Sequence, residues 1–458
     1  MKSLADDMSP DGQARVLVCA YACLRDPGSR LPGGGDLMAW NIVTRLSRHC
    51  RVWVLTSALN KPAIEEKARE NPACGNLHFR YVGLPKCLRF LGRFPGGVQL
   101  YAYIWQWRAY FAARRLHARI GFHGFHHLTY ENDWMASPTG ALLPVPYLRG
   151  PGGGAHRTPP EFIRGYPFRC RLWEKVRTVG QWIFRHDPLF ILGQYRAKAI
   201  LVCNREALDA IPKKWCHKAR LFPVNGVSPE AFQGKGSRAG GPGGFRIVTA
   251  GRLVRLKAFD LPIRAFAQFV ERTKPSASAN NEVVLSIIGE GPERERLESL
   301  ARRLGVGGLV QFIGWKSREE LWARMRSSDL FLFPSLRDGG GAVVVEAMAA
   351  GNPIVCVGLG GPGMHVTAEC GVKVRPRAPA QVAFDLASAL EMLYRQPEIC
   401  RGMGRAARRR AKEFYLWDAL AERLLDVYRD IFHPAAERTL VSRRGNAPRA
   451  ERLPGHAS

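Results

Sequence analysis

Short apolar runs alternate with longer stretches of helical spacing along most of the chain. An apolar run at residues 15–24 is followed by a glycine loop at 33–35, a helical stretch at 36–48 and a second apolar run at 51–57. Apolar runs rich in β-branched residues, separated by amphipathic helices, are typical of parallel strands buried on both faces. The opening of the chain therefore predicts the first β-α-β unit of a doubly wound sheet.

The same alternation starts again near residue 245. Between the two series, residues 232–244 are rich in glycine, which is typical of a flexible linker. The spacing of Ser317 and Glu320 predicts a capping box at the start of one helix of the second series. The pattern predicts two facing Rossmann-like α/β domains with these boundaries: 13–231 for the first domain, 232–244 for the linker, 245–410 for the second domain, 411–432 for a helix crossing back to the first, and 433–458 for a disordered basic tail.

Net charge sets this chain apart. With 68 Lys and Arg against 39 Asp and Glu, the formal charge is +29. Residues 1–240 hold 35 basic and 16 acidic residues, net +19, and residues 241–458 hold 33 and 23, net +10. An ordinary solvated surface, an anionic membrane surface and a phosphorylated substrate all fit this excess. Nucleic acid ranks last, because no zinc-finger or RNP pattern occurs and the basic residues are dispersed.

Targeting signals and cysteine spacing favour a reduced, cytoplasmic protein. The eleven cysteines include no CxxC pair, no window reaches eighteen apolar residues, and residues 1–11 are acidic without an apolar stretch. Residues 86–94 mix Arg with Leu and Phe and are the better candidate for lying on the inner face of the plasma membrane. The aromatic stripe of residues 97–120 is more typical of a packed core.

Two segments of the second domain carry the chemistry. Gly251, Arg252 and Lys257 follow a predicted strand, where a guanidinium fork and an ammonium group suit a diphosphate. Residues 339–341 are glycines that lead into a predicted helix, whose free N–H groups and dipole also suit phosphate. Asp338 and Glu346 flank that turn, and each carboxylate is able to accept hydrogen bonds from sugar hydroxyls.

These segments resemble the retaining GT-B glycosyltransferases of family 4, the "glycosyl transferases group 1" set. The matching motifs are Gly251-Arg252-Leu253 with Lys257, Gly289-x-Gly291-Pro292, and Asp338-x7-Glu346-Ala-Met-Ala, in that order up to Pro353. The resemblance is looser in the first half, through the 33–35 loop. It implies that Arg252 and Lys257 bind the donor diphosphate, that Glu346 holds the ribose and that Asp338 contacts the transferred sugar. The donor-site glycines that it implies are Gly34, Gly251, Gly291, Gly340 and Gly341.

Two positions depart from the family pattern. Asp338 stands where Glu is usual, so its carboxylate is shorter by one methylene, and this puts the identity of the donor sugar in doubt. Ala258 stands where Gly is usual. Because Arg252, Lys257 and Glu346 are retained, the resemblance still implies an active enzyme.

By this resemblance, the protein moves a sugar from a nucleotide-diphosphate donor to a glycan or lipid-linked acceptor, with retention of anomeric configuration, in bacterial cell-surface polysaccharide synthesis. No two aspartates are spaced i, i+2, so the D-x-D metal motif of the other large glycosyltransferase fold is missing. Arg252, Lys257 and the helix N-terminus are able to offset leaving-group charge. We therefore expect no metal and no cofactor.

The first domain is expected to bring the acceptor. Its sequence contains His123, His126 and His127, and the family places a histidine near the sugar at such a strand edge. His127 is the first candidate and His126 the second, against the alternative of a packed histidine. The glycine cluster at residues 149–154 is interpreted as an acceptor loop or a simple turn. Two other functions stay open: a nucleotide-sugar epimerase of the same shape, and a non-catalytic nucleotide-sugar or polyanion-binding protein.

Overall fold

The computed structural model describes residues 13–24, 34–70, 75–93, 97–129, 134–154, 157–233, 244–274 and 283–432. The predicted tail at 433–458 and most of the predicted linker at 232–244 lie outside these residues. Within them, the chain forms two parallel β-sheets, each flanked by helices.

The first sheet has seven parallel strands in the order β3-β2-β1-β4-β5-β6-β7. Its strands carry mostly apolar side chains and five of the seven are nearly fully buried, as expected for a parallel sheet covered on both faces. The strands are β1 (Arg15–Ala20), β2 (Arg51–Ser57), β3 (Leu77–Val82), β4 (Gly124–Thr129), β5 (Tyr147–Gly152), β6 (Ala197–Val202) and β7 (Ala219–Leu221).

The second sheet has six parallel strands in the order β10-β9-β8-β11-β12-β13. Its core is a layer of Leu, Ile, Val and Phe on both faces of the sheet. The strands are β8 (Phe245–Ala250), β9 (Val283–Ile288), β10 (Val310–Gly314), β11 (Leu330–Phe333), β12 (Ile354–Val357) and β13 (Gly371–Val374).

Sixteen α-helices connect or flank the strands in the described part of the chain. In the first half they are α1 (Gly34–Leu46), α2 (Lys61–Arg69), α3 (Gly97–Ile120), α4 (Pro138–Leu142), α5 (Pro160–Ile163), α6 (Phe168–Arg185), α7 (Pro188–Arg196) and α8 (Arg205–Asp209). In the second half they are α9 (Asp260–Thr273), α10 (Arg294–Arg303), α11 (Arg318–Arg326), α12 (Ala342–Ala350), α13 (Gly360–His365), α14 (Pro379–Arg395), α15 (Pro397–Phe414) and α16 (Trp417–Phe432). The capping box predicted from Ser317 and Glu320 is present at the start of α11.

Each sheet reverses its strand order at one place, between β1 and β4 in the first sheet and between β8 and β11 in the second. Loops that follow two such neighbouring strands diverge to opposite faces and leave a crevice at the carboxyl edge of the sheet. In the second sheet these are the loops that follow β8 and β11, which carry Lys257 and Asp338. Topology alone therefore brings together two segments that are about eighty residues apart in sequence.

Helix α16 crosses back onto the first domain, as predicted. Trp417, Leu424 and Phe432 are buried in the same cluster as Val16 and Ile42 of the first sheet and its first helix. The Tyr428 hydroxyl also lies 2.7 Å from His126 Nδ1. This helix covers apolar surface of the first domain that would otherwise face water.

Three features of the structure differ from the predicted elements. The helix predicted at 411–432 is two helices, because Tyr415 and Trp417 make backbone hydrogen bonds with Val227 that interrupt the helical ladder between α15 and α16. The glycine cluster at 149–154 is not a separate loop, since β5 continues through Gly152. Helices α6 and α7 were not predicted; Asp187 caps the start of α7 and Pro188 is its first residue.

Candidate functional site

The loops that follow β8 and β11 meet through one ion pair. Lys257 ends a short 3₁₀ turn over Arg255–Lys257, and its Nζ donates a hydrogen bond to Asp338 Oδ2. The two side chains are 18% and 20% exposed, so the pair lies at the wall of the crevice rather than deep in the core. The structure thus brings together two of the predicted site residues.

Asp338 also holds the start of α12. Its Oδ1 accepts a hydrogen bond from the Gly341 backbone N–H at 2.7 Å. Gly341 is the residue that precedes the helix, and its φ of 62° lies in the left-handed region that favours glycine. One carboxylate therefore joins a lysine and a helix N-terminus, the two groups that the sequence assigns to phosphate binding.

The glycines before α12 touch the first domain. The Asn204 side chain donates to the Gly339 carbonyl at 3.0 Å, and a Cβ added to Gly340 would lie 2.1 Å from Asn225 Nδ2. No side chain fits at position 340 without moving Asn225 or the loop. The glycine turn before α12 is thus in direct contact with residues of the facing domain.

Glu346 lies one turn inside α12 and is 7% exposed. Its Oε1 accepts from Arg318 at the start of α11, with a nitrogen–oxygen distance of 3.0 Å. Burial raises the pKa of the Glu346 carboxyl, and the positive charge of Arg318 opposes that rise. Arg318 was not predicted as a site residue, although it directly follows the capping-box residue Ser317.

Arg252 is exposed and makes no ion pair with any other residue in the described ranges. The loop that carries Arg252 is held by the loop that follows β9, because the Leu253 N–H donates to the Glu290 carbonyl at 2.9 Å. A Cβ at Gly291 would lie 2.3 Å from the Leu253 carbonyl oxygen. Gly289 and Gly291 therefore allow the two loops to pack closely, and the guanidinium of Arg252 is left accessible to an anionic ligand.

A buried histidine forms a hydrogen bond with the glycine turn that precedes α12. His365 Nε2 lies 2.6 Å from the Gly340 carbonyl oxygen, and His365 Nδ1 lies 3.0 Å from the Tyr415 hydroxyl. Burial lowers the pKa of His365 to about 4. The neutral ring donates to Gly340 and accepts from Tyr415, which fixes the tautomer. No sequence pattern points to this residue, because its partners lie 25 and 50 positions away.

The two candidate histidines lie side by side on β4 and point to opposite faces. His127 is 2% exposed, and its Nε2 is 3.1 Å from the side-chain nitrogen of Gln106 on α3. His126 is fully buried between Tyr428 and the Gly150 carbonyl. Both occupy the strand next to β1, at the reversal point of the first sheet. Gly34 is the first residue of α1, and its donor role, like that of His127, stays a prediction.

Two contacts between the domains were not predicted from the sequence: one ion pair and one hydrogen bond from a backbone N–H to a carboxylate. Glu174 on α6 accepts from Arg337 Nη1 at 2.8 and 2.9 Å with its two oxygens. Glu206 on α8 accepts from the Gly360 N–H at 2.8 Å. Arg337 directly precedes Asp338, so an ion pair with the first domain holds the loop that follows β11. No spacing pattern links residues 163 positions apart, and the sequence alone could not pair them.

The family model for Glycosyl transferases group 1 matches residues 240–410. D-inositol 3-phosphate glycosyltransferase from Kribbella flavida is 33% identical over 240 residues, which cover 49% of this chain and 54% of the relative. The corresponding protein from Streptomyces avermitilis is 33% identical over 186 residues, covering 39% and 38%. The chain thus spans between 38% and 54% of the length of the first such relatives.

Solved structures extend the likeness to nearly the whole chain. A glycosyltransferase from Rickettsia africae aligns with a TM-score of 0.62 at 12% identity, covering 92% of this chain and 100% of that one. HepE of Anabaena in complex with UDP and glucose aligns with a TM-score of 0.57 at 14% identity, with the same coverage. The predicted fold is confirmed. The chain has the GT-B fold of two facing Rossmann-like domains, and its residues 240–410 match the Glycosyl transferases group 1 family.

Proposed function

We propose that this protein is a retaining glycosyltransferase of the family 4 type. It transfers a sugar from a nucleotide-diphosphate donor to a glycan or lipid-linked acceptor at the inner face of a bacterial membrane, in cell-surface polysaccharide synthesis. The observation that carries this proposal is the convergence of Lys257, Asp338 and the α12 N-terminus at the reversal point of the second sheet. The UDP seen in the HepE structures supports a nucleotide donor.

The arrangement suits departure of a nucleoside diphosphate. Lys257 and Arg252 supply positive charge, and the free N–H groups at the start of α12 supply hydrogen bonds to the phosphate oxygens as negative charge grows there. Glu346 accepts from the ribose hydroxyls while Arg318 holds its carboxylate in place. Asp338, when released by Lys257, accepts from hydroxyls of the transferred sugar.

Retention is proposed to follow from attack on the same face as the leaving group. The departing phosphate then takes the proton of the acceptor hydroxyl, so the step needs no strong protein base, and His127 has a positioning role near the sugar. The contacts of Asn204, Glu206 and Glu174 with the second domain hold the two domains together around the donor site. A closed crevice limits hydrolysis of the donor by water.

A panel of UDP-glucose, UDP-N-acetylglucosamine and GDP-mannose tests the proposal. We expect at least one donor to raise the melting temperature, and free nucleoside diphosphate to appear when a bacterial lipid or glycan acceptor is added. Lys257→Ala should abolish release, whereas Arg303→Ala, which removes an exposed charge on α10, should not. Isomerised sugar nucleotide without transfer would favour the epimerase, and donor binding without either product would favour the binding protein.

Metal independence is a separate part of the proposal. The positive charges of Arg252 and Lys257, together with the helix N-terminus, stand where a cation would otherwise neutralise the diphosphate. Turnover in excess EDTA should equal turnover without it. Complete loss of turnover in EDTA, restored by a divalent cation, would refute this part and leave the transferase assignment intact.

A further inference from the structure

Helix α6 exposes a continuous apolar stripe to solvent. Phe168, Leu172, Val176, Val179 and Ile183 recur at intervals of three and four residues, so they share one face of the helix. All five are exposed, and Phe168 is 69% exposed. Two tryptophans widen the stripe: Trp173 and Trp182.

Helix α7, which follows α6 in the chain and contacts it, exposes further apolar side chains. Ile191, Leu192 and Tyr195 are exposed, and Tyr195 is 73% exposed. Between α7 and Trp215 there is an open depression of about 470 Å³, which is mostly apolar and is bordered by Lys214. Contiguous exposed apolar patches rarely occur on a soluble monomer without an interaction partner.

The rim of this surface is basic. Arg169, Arg171 and Lys175 are exposed on α6. At the end of α7 lies a second cleft of about 260 Å³, next to the apolar depression and sharing Tyr195 with it. Its lining is almost entirely basic or aromatic: Tyr195, Arg196, Ala197, Lys198, His217, Lys218 and Arg220.

We propose that the apolar stripe, the α7 surface and the basic cleft together form a docking surface for an anionic lipid bilayer. We call this the α6–α7 face. Its side chains match an interfacial helix, with aliphatic and tryptophan side chains facing the acyl boundary and cations beside the headgroups. The cleft at Lys198 and Lys218 receives a lipid phosphate. In the described residues no helix is long and apolar enough to cross a membrane.

Charge complementarity favours a bilayer over a second copy of the chain. A symmetric pairing of two such stripes would bring their basic rims together, and like charges at close range repel. The acid on α6, Glu174, is turned inward, where it pairs with Arg337 and Arg177. It therefore does not neutralise the outer rim.

The inner side of α6 connects this face to the donor site. Glu174 holds Arg337, the residue next to Asp338, and Gln181 donates to the Gly154 carbonyl at 3.1 Å. A helix seated on the membrane thus also contacts the donor-side loop. This coupling rests on the proposed function, whereas lipid binding does not.

Vesicle sedimentation tests the docking surface without turnover. The full chain should bind vesicles of phosphatidylcholine with phosphatidylglycerol, and at least tenfold more weakly those of phosphatidylcholine alone, with affinity falling as salt rises. Val179→Glu with Trp182→Glu should weaken binding at least tenfold. The matched pair Trp315→Glu with Ile399→Glu, exposed on the second domain, should not. Lys198→Gln with Lys218→Gln should remove most of the preference for anionic lipid.

A fluorescence readout locates the contact even if the charged double variant fails to fold. Brominated lipid should quench tryptophan emission on binding, and Trp182→Phe should reduce the quenched fraction while Trp315→Phe leaves it unchanged. Absence of vesicle binding at low salt, or equal binding by the Val179 and Trp182 variant, would overturn the proposal. So would a concentration-dependent dimer that the same variant makes monomeric. Lipid binding without any donor binding would sustain it while the transferase proposal fails.

Discussion

Lys257 and Asp338 form an ion pair that joins the two loops at the reversal point of the second sheet. The proposed function assigns Lys257 to the donor diphosphate and Asp338 to the transferred sugar. While they are paired, neither is fully available to a ligand. Under the proposed function, donor binding requires an exchange in which the phosphate replaces the Asp338 carboxylate as the partner of Lys257.

Replacing Asp338 by Asn should strengthen binding of the free nucleoside diphosphate. The amide retains an oxygen for the Gly341 N–H but removes the negative charge that competes for Lys257. A partly exposed pair of this kind contributes about 1 kcal/mol, so affinity should rise several-fold, roughly three- to tenfold. Calorimetry with the nucleotide of the best donor measures it. Turnover should fall, because the sugar loses a carboxylate contact.

The control for this variant is Glu271→Gln, which removes an exposed carboxylate from α9 far along the chain from the loop. It removes one negative charge, as Asp338→Asn does, from a chain whose formal net charge is +29. If both variants strengthened nucleotide binding equally, the effect would be general electrostatics and the exchange would be refuted. Weaker binding by Asp338→Asn would refute it more directly.

Glu346→Gln tests the ribose contact. The substitution leaves Arg318 without its carboxylate partner and replaces a strong acceptor by a weaker one, so nucleotide affinity should fall roughly tenfold, or about 1.4 kcal/mol. The specific readout is discrimination between a nucleoside diphosphate and its 2′-deoxy analogue. Wild type should prefer the ribonucleotide, and the variant should bind both alike. A preserved preference in Glu346→Gln would place the ribose elsewhere.

His365 predicts how the stability of the second domain depends on pH. Its pKa is about 4 in the fold and 6.5 when unperturbed, so between these values the unfolded chain binds a proton that the folded chain does not. Stability is therefore complete above pH 6.5 and is lost as the pH falls towards 4. The expected loss between pH 7 and pH 5 is about 2 kcal/mol.

Chemical denaturation of the second domain at the two pH values measures this loss. His365→Gln should be less stable than wild type at pH 7, but its stability should change less between pH 7 and pH 5. The exposed His49→Gln should retain the wild-type dependence. A wild-type dependence that survives in His365→Gln would assign the titration to other groups.

The sequence was sufficient to predict the parts of the structure that follow from local pattern or from topology. Strand and helix alternation specified both sheets, and the known order of a doubly wound sheet then places Lys257 beside Asp338. The capping box of Ser317 depended only on neighbours in sequence. These features need no knowledge of distant packing.

What the sequence did not reveal depends on partners that are distant in sequence. His365 functions through Tyr415, and Glu174 through Arg337 across the domain boundary. The break before α16 arises from backbone pairing with Val227, although the amphipathic pattern continues through it. Of the membrane candidate predicted at residues 86–94, residues 86–93 form a 3₁₀ segment and residue 94 lies outside the described residues, whereas α6 and α7 expose a row of large apolar side chains.

Ala258 offers a test of backbone strain at the site. It stands where the family usually has glycine, and its φ of 49° lies in the left-handed region. An L-residue there costs about 1 kcal/mol or more relative to glycine, partly offset by the greater freedom of glycine in the unfolded chain. Ala258→Gly should therefore raise the stability of the second domain by up to about 1 kcal/mol.

The same substitution at Ala323, exposed within α11, gives the opposite expectation. There the backbone is helical, so glycine should lower stability by about 1 kcal/mol. Thermal melting of both variants beside wild type compares the signs directly. Destabilisation by both would mean that packing of the buried Ala258 methyl group outweighs the relief of backbone strain. Since Ala258 directly follows Lys257, a stabilised variant with unchanged nucleotide affinity would further show that the strain is not used to position the lysine.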